Sequence, residues 1–329
     1  MGNSPIVFRG KLCLNLPPTM TDLYLGVDLG GTFVKLGVCT RKGEVKGTVS
    51  IPTRPDRGPE NTVQRIGEAA ETLQKKIGKV RACCAGVPGP LEFERRILMK
   101  AANLPGWNNV RLPQMLGNRL VMPTYMENDA NCAAWGEYVA GAGRGTRSLV
   151  LYTLGTGVGG GIVIDGQMWI GATGAAGALG HTIIDPNGEM CGCGQKGCVE
   201  AYASATAVSR RYGRGSAKDC FDAAKKGNKE ALAVVDWAVA GLSVGVANTI
   251  QVLYPDIVVL AGGMALAGEF LLDKVRAGVR GKVFDVFSDK VRIEASQVPG
   301  DDAGWLGAAL WAARKFETRD IREPTPARN

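Results

Sequence analysis

The order of apolar and polar residues divides most of the chain into short strand-like runs and longer stretches with helical spacing. Between 59 and 77, apolar residues recur every three or four positions, which predicts an amphipathic helix. Further helices are predicted to end at Tyr138 and to span 199–212, 229–253 and 302–316. Short β-branched or apolar runs predict a strand–turn–strand unit over 23–38 and strands at 44–51, 80–87, 121–126, 148–154, 162–164, 256–260 and 290–296. Alternation of this kind indicates an α/β protein.

Two glycine-rich turns each lie between two predicted strands. The sequence GGT occupies 30–32 in the first unit, and GTGVGGG occupies 155–161 in the second. The second turn contains the dinucleotide fingerprint G-x-G-x-x-G, but a strand follows it where the fingerprint requires a helix, so that interpretation is rejected. Both turns can present backbone N–H groups to phosphates. The repeated design predicts two related α/β domains with a nucleotide in the cleft between them.

Polar or rigid segments follow several predicted strands. Asp28 ends the first strand, where a carboxylate suits a magnesium ion, although an ordinary hairpin with a turn-capping Asp fits the spacing equally well. The strand at 80–87 ends in the rigid turn GVPGP, and the strand at 121–126 continues into ENDAN. Asn128 or Asp129 could cap the next helix. Capping needs only one of them, so the pair leaves a second polar side chain at the strand end.

A glycine-rich segment from Gly174 to Ser204 contains the only histidine of the chain, His181. Three cysteines follow it in the spacing C-x-C-x4-C, at 191, 193 and 198. Three thiols and one imidazole are a ligand set that tetrahedral zinc prefers, and so closed a site would be structural. Buried small residues or a disulfide are the alternatives, but the zinc interpretation is favoured. Such a metal would orient His181 and the neighbouring Glu200.

Composition and charge narrow the class of protein. The 329 residues are 45% hydrophobic and 21% charged, which is typical of a soluble globular protein of one large or two ordinary domains. The net charge of +8 suits an anionic ligand such as a nucleotide, whereas the absence of a basic helix argues against nucleic acid. Despite nine cysteines, no secretory signal is recognisable, and no apolar run approaches membrane-spanning length. We therefore expect a cytoplasmic protein without a membrane partner.

These motifs together resemble the ROK family of sugar kinases and sugar-responsive repressors. The resemblance extends from about 23 to 316 and is nearest to the ATP-dependent glucokinase group. It is carried by DLGGT at 28–32, GVPGP at 86–90, NLPGW at 103–107, ENDAN at 127–131, LGTGVGGG at 154–161 and GH-x9-CGCGQKGC-x-E at 180–200. The repressor members place a helix-turn-helix before the kinase fold. Here only about twenty unpatterned residues precede it, which disfavours a repressor.

The resemblance implies the two-domain sugar kinase/actin/Hsp70-like (ribonuclease H-like) fold with a zinc knuckle. The expected division is a small α/β domain over 22–126 completed by a C-terminal helix at 303–316, and a large α/β domain over 127–302 that contains the knuckle. Residues 1–21 and 317–329 are expected to be a disordered extension and a disordered tail. A homo-oligomer, either dimer or tetramer, is also expected.

The resemblance also assigns roles to individual residues. Asp129 is the general base that accepts the proton of the sugar hydroxyl. The expected sugar-binding set is Gly89, Asn103, Asn128, Asp129, Ala178, His181 and Glu200. The expected Mg-ATP set is Asp28, Gly30, Gly31, Thr32, Lys35, Gly155, Thr156, Gly157, Gly262 and Gly263. Structural zinc is expected on His181, Cys191, Cys193 and Cys198.

One position departs from the family pattern. Active kinases of the family usually have E-x-G-H at the start of the knuckle, whereas this chain has Ala178 in place of the glutamate. The chain could be a weakened glucokinase, a kinase for another sugar such as N-acetylglucosamine, N-acetylmannosamine, fructose or allose, or a non-catalytic sugar or nucleotide sensor. Polyphosphate or ADP could replace ATP as donor. Because Asp129 and Asp28 are present, a glucose kinase with impaired sugar binding is the favoured interpretation.

Overall fold

The structure is a computed structural model that describes residues 21–101, 104–285, 290–299 and 302–318. Nearly all of the predicted N-terminal extension and C-terminal tail therefore lie outside the described residues, as does Asn103. The last helix continues to Thr318, two residues beyond the predicted end.

The described elements include both strands and helices throughout the chain, as predicted for an α/β protein. The strands are β1 Leu23–Leu29, β2 Phe33–Thr40, β3 Val45–Pro52, β4 Ala82–Val87, β5 Leu98–Lys100, β6 Asn108–Val110, β7 Thr124–Asn128, β8 Leu149–Leu154, β9 Val158–Ile164, β10 Gln167–Met168, β11 Ile257–Ala261 and β12 Arg292–Ala295. The helices are α1 Gly58–Ile77, α2 Leu112–Leu120, α3 Asp129–Ala140, α4 Val199–Ala203, α5 Ala205–Tyr212, α6 Ala217–Lys225, α7 Lys229–Leu253, α8 Glu269–Arg280 and α9 Ala303–Thr318.

Two five-stranded sheets share one design. The first has the order β3-β2-β1-β4-β7 and the second the order β10-β9-β8-β11-β12. In each, the two strands of a glycine-turn hairpin pair antiparallel. The first of them pairs parallel with another strand, β4 or β11, and that strand pairs parallel with the edge strand, β7 or β12. This repeat confirms the predicted duplication of the hairpin. Because the parallel strands end at a common edge, each sheet gathers its strand-end loops there, where ligands bind in open α/β sheets.

Helices α3 and α9 pack between the two sheets. Helix α9 contacts β1, β2 and β4, whereas α3 contacts β8, β9 and α9. Helix α9 lies close to the first sheet because glycines occupy the strand positions that face it. A Cβ on Gly26 would lie 1.8 Å from the carbonyl oxygen of Trp305, and one on Gly37 would lie 2.1 Å from the Trp305 ring. Helix α9, the last of the described helices, is therefore part of the core of the first sheet.

Three helical predictions need correction. The predicted helix over 199–212 is two helices, because Ser204 has extended backbone angles and its side chain caps α5 by accepting the N–H of Ala207. Short helices α2, α6 and α8 were not predicted. The expectation that no apolar run approaches membrane-spanning length is also wrong for α7, which has the length and composition to do so. Its most apolar window is 61% buried inside the protein, as in a core helix.

The carboxylate of Glu137, near the end of α3, is fully buried and holds the segment between β12 and α9. It accepts hydrogen bonds from Ser296 Oγ at 2.5 Å, from Val298 N at 3.0 Å and from Gln297 N at 3.2 Å. It also accepts the N–H of Ala142 at 2.9 Å, which closes the end of its own helix. A buried charge is tolerated when hydrogen bonds replace its hydration, and four donors do so here.

We predict that Glu137→Ala strongly destabilises the protein. The change leaves two buried backbone donors, those of Ala142 and Val298, without an acceptor, and each costs about 1–3 kcal/mol. Urea unfolding should show a loss of several kcal/mol. Glu137→Gln keeps one oxygen acceptor and should lose less. Glu68→Ala, on the exposed face of α1, is the control and should change the free energy of unfolding by about 0.5 kcal/mol or less. Equal stabilities of Glu137→Ala and the control would contradict this role.

Candidate active site

The predicted strand-end residues of the first sheet lie side by side. Asp28 on β1 is in register with Gly86 on β4, which is in turn in register with Glu127 on β7. The next residues of β4 and β7, Val87 and Asn128, are likewise paired. Parallel pairing therefore brings the loops that follow β1, β4 and β7 to one edge.

Asn128 and Asp129 differ in their contacts at the start of α3. Asn128 Oδ1 accepts the N–H groups of Ala130 at 3.0 Å and Asn131 at 3.3 Å, so the capping interpretation is confirmed for this residue. Asp129 is the first residue of α3, is half-buried and accepts the Ala130 N–H at 2.8 Å. Burial raises the pKa of the Asp129 carboxyl, against smaller opposing effects of backbone hydrogen bonds. Its charged form is therefore a stronger base than an exposed aspartate.

The glycine run at the start of β9 packs against other parts of the site. A Cβ on Gly159 would lie 3.1 Å from Ala130 Cβ, directly after the predicted base, and one on Gly157 would lie 2.4 Å from a Glu200 oxygen. Gly160 and Gly161 make similarly close approaches to Leu179 and to Ala134. This hairpin is thus a packing surface for several functional segments, a role that the phosphate-binding prediction did not include.

Other glycines have open space on their side-chain face at the end of the second sheet. A Cβ on Gly155 or Gly263 would have no described atom within 4 Å. Gly262 has φ +88 and lies against the backbone of Leu154, so the loop after β11 is adjacent to the loop after β8. Thr156 is exposed, and its carbonyl accepts a hydrogen bond from Thr206 Oγ1 at 2.7 Å. The predicted nucleotide residues of this sheet are therefore grouped together.

The first glycine turn is held by a residue that the sequence did not single out, Thr53. Its hydroxyl donates to Gly30 O at 2.6 Å, and its N–H donates to Thr32 O at 2.8 Å. Asp28 lies beside the first turn of α9, since a Cβ on Gly304 would be 2.6 Å from its Oδ2. Lys35 is opposite Asp28 on β2. Thr32 is exposed, and Gly31 is half-buried.

The sequence spacing correctly predicts a cluster of His181, Cys191, Cys193 and Cys198. One ligand atom from each lies within 4.8 Å of the others. Cys193 Sγ and Cys198 Sγ are 3.7 Å apart, and Cys191 Sγ is 3.8 Å from His181 Nδ1. Sulfurs bound tetrahedrally at about 2.3 Å would be separated by about 3.8 Å, so these residues fit a zinc ion.

The protonation of the three thiols differs with their surroundings. Burial raises the pKa of Cys191 to about 12 and that of Cys198 in the same direction. The backbone N–H of Gln195 lowers the pKa of Cys193, the exposed member of the cluster. A divalent cation would stabilise all three as thiolates.

The cysteine cluster is joined to β9 through two further contacts. Glu200 Oε2 accepts the Val158 N–H at 2.8 Å, and its other oxygen is 3.5 Å from Cys191 Sγ. A Cβ on Gly180 would lie 1.9 Å from the Val158 carbonyl, so the turn that carries Ala178 and His181 touches the same residue. Ala178 is exposed. Gly89 lies apart from this group, against the Lys100 carbonyl, with φ +103.

Two charged residues that the sequence analysis did not select also lie here. Glu127, within ENDAN, is buried, and Arg95 from the loop after β4 forms an ion pair with it at 3.1 Å. A buried acid beside two polar strand-end residues could have been noticed, but its partner lies 32 residues away and has no local signal.

Comparison with known proteins agrees with this geometry. The chain is 37% identical to the glucokinase of Thermotoga maritima over 306 residues, covering 87% of this chain and 95% of that protein. A solved ROK hexokinase from Thermus thermophilus has a TM-score of 0.81 and 32% identity, with 90% and 99% of the two chains covered. A ROK family glucokinase from Streptomyces griseus, in complex with glucose and AMPPNP, has a TM-score of 0.77 and 31% identity, with 89% and 99% covered.

The family pattern itself matches residues 24–315, which include both sheets, the ENDAN segment and the cysteine cluster. The chain therefore belongs to the ROK family.

Proposed function

We propose that this protein transfers the terminal phosphoryl group of ATP to the 6-hydroxyl of glucose. The observation that carries the proposal is the position of Asp129, which begins α3 at the edge of the first sheet, directly before Ala130, which packs against the glycine hairpin of the second. The similarity to a T. maritima glucokinase and to an S. griseus glucokinase in complex with glucose and AMPPNP supports the same substrates.

In this proposal Asp129 accepts the proton of the attacking hydroxyl. Phosphoryl transfer depends mainly on positioning and charge stabilisation, with a carboxylate to orient the nucleophile. The raised pKa of Asp129 brings its basicity closer to working pH, while Asn128 fixes the start of its helix. His181 and Glu200 would hydrogen-bond the sugar from the side of the cysteine cluster, with Asn128 and Asn103 as further contacts.

The two glycine loops would hold Mg-ATP. Gly155, Thr156, Gly262 and Gly263 lie in the loops at the end of the second sheet, and Gly30, Gly31 and Thr32 form the glycine turn of the first. Asp28 would interact with the magnesium ion, directly or through water, and Lys35 would add positive charge. Gly157, which lies against Glu200, would contribute by joining the nucleotide loop to the sugar side.

We further propose a structural zinc ion on His181, Cys191, Cys193 and Cys198, whose geometry fits it. When bound, zinc supplies the positive charge that keeps the thiols ionised and holds the imidazole in place. His181 and Glu200 would then face the sugar in fixed orientations. The eight described cysteines are free thiols, which supports a cytoplasmic location. The homo-oligomer stays a prediction.

We predict that Asp129→Asn lowers kcat by about a hundredfold to ten-thousandfold, because the amide cannot accept the proton. Its thermal stability should rise. The pKa of Asp129 is raised in the folded protein, so this carboxyl stabilises the folded state fully at pH values below the pKa that it has in the unfolded chain. That stabilisation is lost as the pH rises through its pKa in the folded protein. Asparagine removes this cost at neutral pH.

Steady-state kinetics and thermal melting at pH 7 test both parts. Asp273→Asn, exposed on α8, is the control. For the parent, kcat should fall as pH drops through the pKa of Asp129. Near-parental turnover of a folded Asp129→Asn variant would remove Asp129 from the role of base.

We predict about one zinc per chain in the purified protein. Cys193→Ser should lose the metal and weaken glucose binding more than ATP binding, because the cluster supports His181 and Glu200. Elemental analysis measures zinc, and calorimetric titration measures each ligand. Cys220→Ser, at a buried cysteine remote from the cluster, should keep its zinc. A fully zinc-loaded Cys193→Ser protein would exclude the proposed ligand set.

We predict that Ala178→Glu lowers the KM for glucose by about tenfold to a hundredfold. A charged acceptor for a sugar hydroxyl contributes about 1.5–3 kcal/mol, and each tenfold corresponds to about 1.4 kcal/mol. Ala178 is exposed, so the longer side chain meets no packed neighbour. The KM for ATP should change much less.

The control Ala175→Glu puts the same charge elsewhere in the same exposed loop. Kinetics on a panel of hexoses and N-acetylhexosamines measures the outcome. If Ala178→Glu does not improve glucose use, the site is shaped for another sugar of the panel. If neither protein turns over any sugar with ATP, the non-catalytic alternative is favoured.

A further inference from the structure

The guanidinium of Arg95 is buried where three segments around the candidate sugar site meet. It belongs to the loop that follows β4, and its side chain is only 11% exposed. Arg95 Nε donates to both carboxylate oxygens of Glu127 at 3.1 Å, and Nη2 donates to the carbonyl of Gly174 at 3.0 Å. The Glu127 side chain is 2% exposed, so this ion pair is shielded from solvent, unlike the neighbouring surface pair of Arg96 and Glu94.

The first segment that Arg95 holds is the one that carries the base. Glu127 Oε1 accepts the Asn128 N–H at 2.9 Å and an amide N–H of the Asn131 side chain at 2.9 Å. The same carboxylate therefore fixes the residue before Asp129 and the residue two positions after it. A buried carboxylate that loses its cationic partner must rearrange or take up a proton, and either change would move these hydrogen bonds.

The second segment is the loop between β10 and the cysteine cluster. Gly174 has φ +81, and a Cβ on it would lie 2.3 Å from Arg95 Nη1. The loop is closed by a hydrogen bond from Ala176 N to Ile170 O at 3.0 Å, and it continues into Ala178 and His181. Arg95 thus anchors the loop that presents position 178.

The backbone at Arg95 also indicates a specific requirement for this side chain. Arg95 has φ +60, in the left-handed region that non-glycine residues seldom occupy. Its N–H donates to the Glu92 carbonyl at 2.9 Å in a tight turn. Glycine could adopt this backbone conformation without strain. An arginine at this position therefore indicates that its side chain has a role that outweighs the cost of the strained backbone.

From these contacts we infer that Arg95 is a positioning residue of the kinase reaction. It links the loop after β4, the base segment at 127–131 and the loop at 170–178, so that the groups on opposite sides of the sugar keep a fixed separation. The inference rests on the proposed function. Glucose affinity then depends partly on Arg95, a residue that does not contact the sugar, because even a small displacement of the groups that do contact it weakens binding and slows the reaction.

The test compares Arg95→Ala, Arg95→Lys and Gly174→Ala with the parent. Arg95→Ala should raise the KM for glucose about tenfold to a hundredfold and lower kcat, with the KM for ATP within about twofold. Arg95→Lys keeps the charge but loses the fork of donors, so its effect should be intermediate. Gly174→Ala breaks the same contact from the other side and should reproduce the rise in glucose KM.

Two matched controls separate this role from general damage. Arg96→Ala removes the adjacent exposed arginine, and Gly213→Ala introduces a side chain at a glycine with φ +71 that has no described neighbour within 4 Å. Both should keep parental kinetics. If Arg95→Ala lowers the melting temperature but leaves the glucose KM unchanged, Arg95 has only a structural role and the inference is wrong.

Amide hydrogen exchange gives a readout that does not depend on turnover. Arg95→Ala and Gly174→Ala should both accelerate exchange in 170–178, and Arg95→Ala should also do so in 127–131, whereas Arg96→Ala should not. This pattern in a protein that phosphorylates no sugar would overturn the proposed function and leave the positioning contact supported. Unchanged exchange in an active enzyme would overturn the inference alone.

Discussion

Close backbone approach at the start of β9 is the constraint on which the candidate site depends. Val158 binds Glu200 through its N–H and touches Gly180 through its carbonyl, and Gly159 packs on Ala130. One turn of chain therefore sets the separation between the base segment, the histidine turn and the cysteine cluster. Protein interiors are nearly as dense as crystals, so a single added methyl group here would displace one of these segments.

Three glutamates, two of them buried and one half-buried, supply the second kind of constraint. Glu137 fixes the segment that leads to α9, Glu127 fixes the start of α3, and Glu200 fixes the β8–β9 turn relative to Cys191. Each carboxylate accepts at least one backbone N–H: Glu137 from loops, Glu127 from the last residue of β7 and Glu200 from the first residue of β9. Hydrogen bonds are directional, whereas apolar packing is not. The apolar core holds the helices together, and the hydrogen bonds to these carboxylates define where each bonded segment lies.

Local patterns predicted most of this arrangement. The two hairpins and the cysteine cluster were predicted from sequence because each depends on residues close together in the chain. The break at Ser204 was missed because apolar spacing continues across it while one extended residue ends the helix. Thr53 and Arg95 were missed because their partners are distant in sequence. From the sequence, the glycines of β9 were interpreted as part of a phosphate-binding loop because they resemble one. In the structure, their close neighbours belong to α3 and to the knuckle.

The position of α9 has a consequence for the order in which the protein can fold. Trp305 fills the space against Gly26 and Gly37, and the same helix packs on β4. The first sheet, although synthesised first, lacks this part of its core until the final helix leaves the ribosome. During synthesis the face of β1 and β4 that α9 covers must stay open, and exposed apolar sheet of this kind is where chaperones bind and aggregation begins. The second sheet also waits for this segment, because β12 ends only at Ala295 and the core that α9 joins contains Leu151 of β8 and Val259 of β11, so neither half should finish packing until α9 is in place.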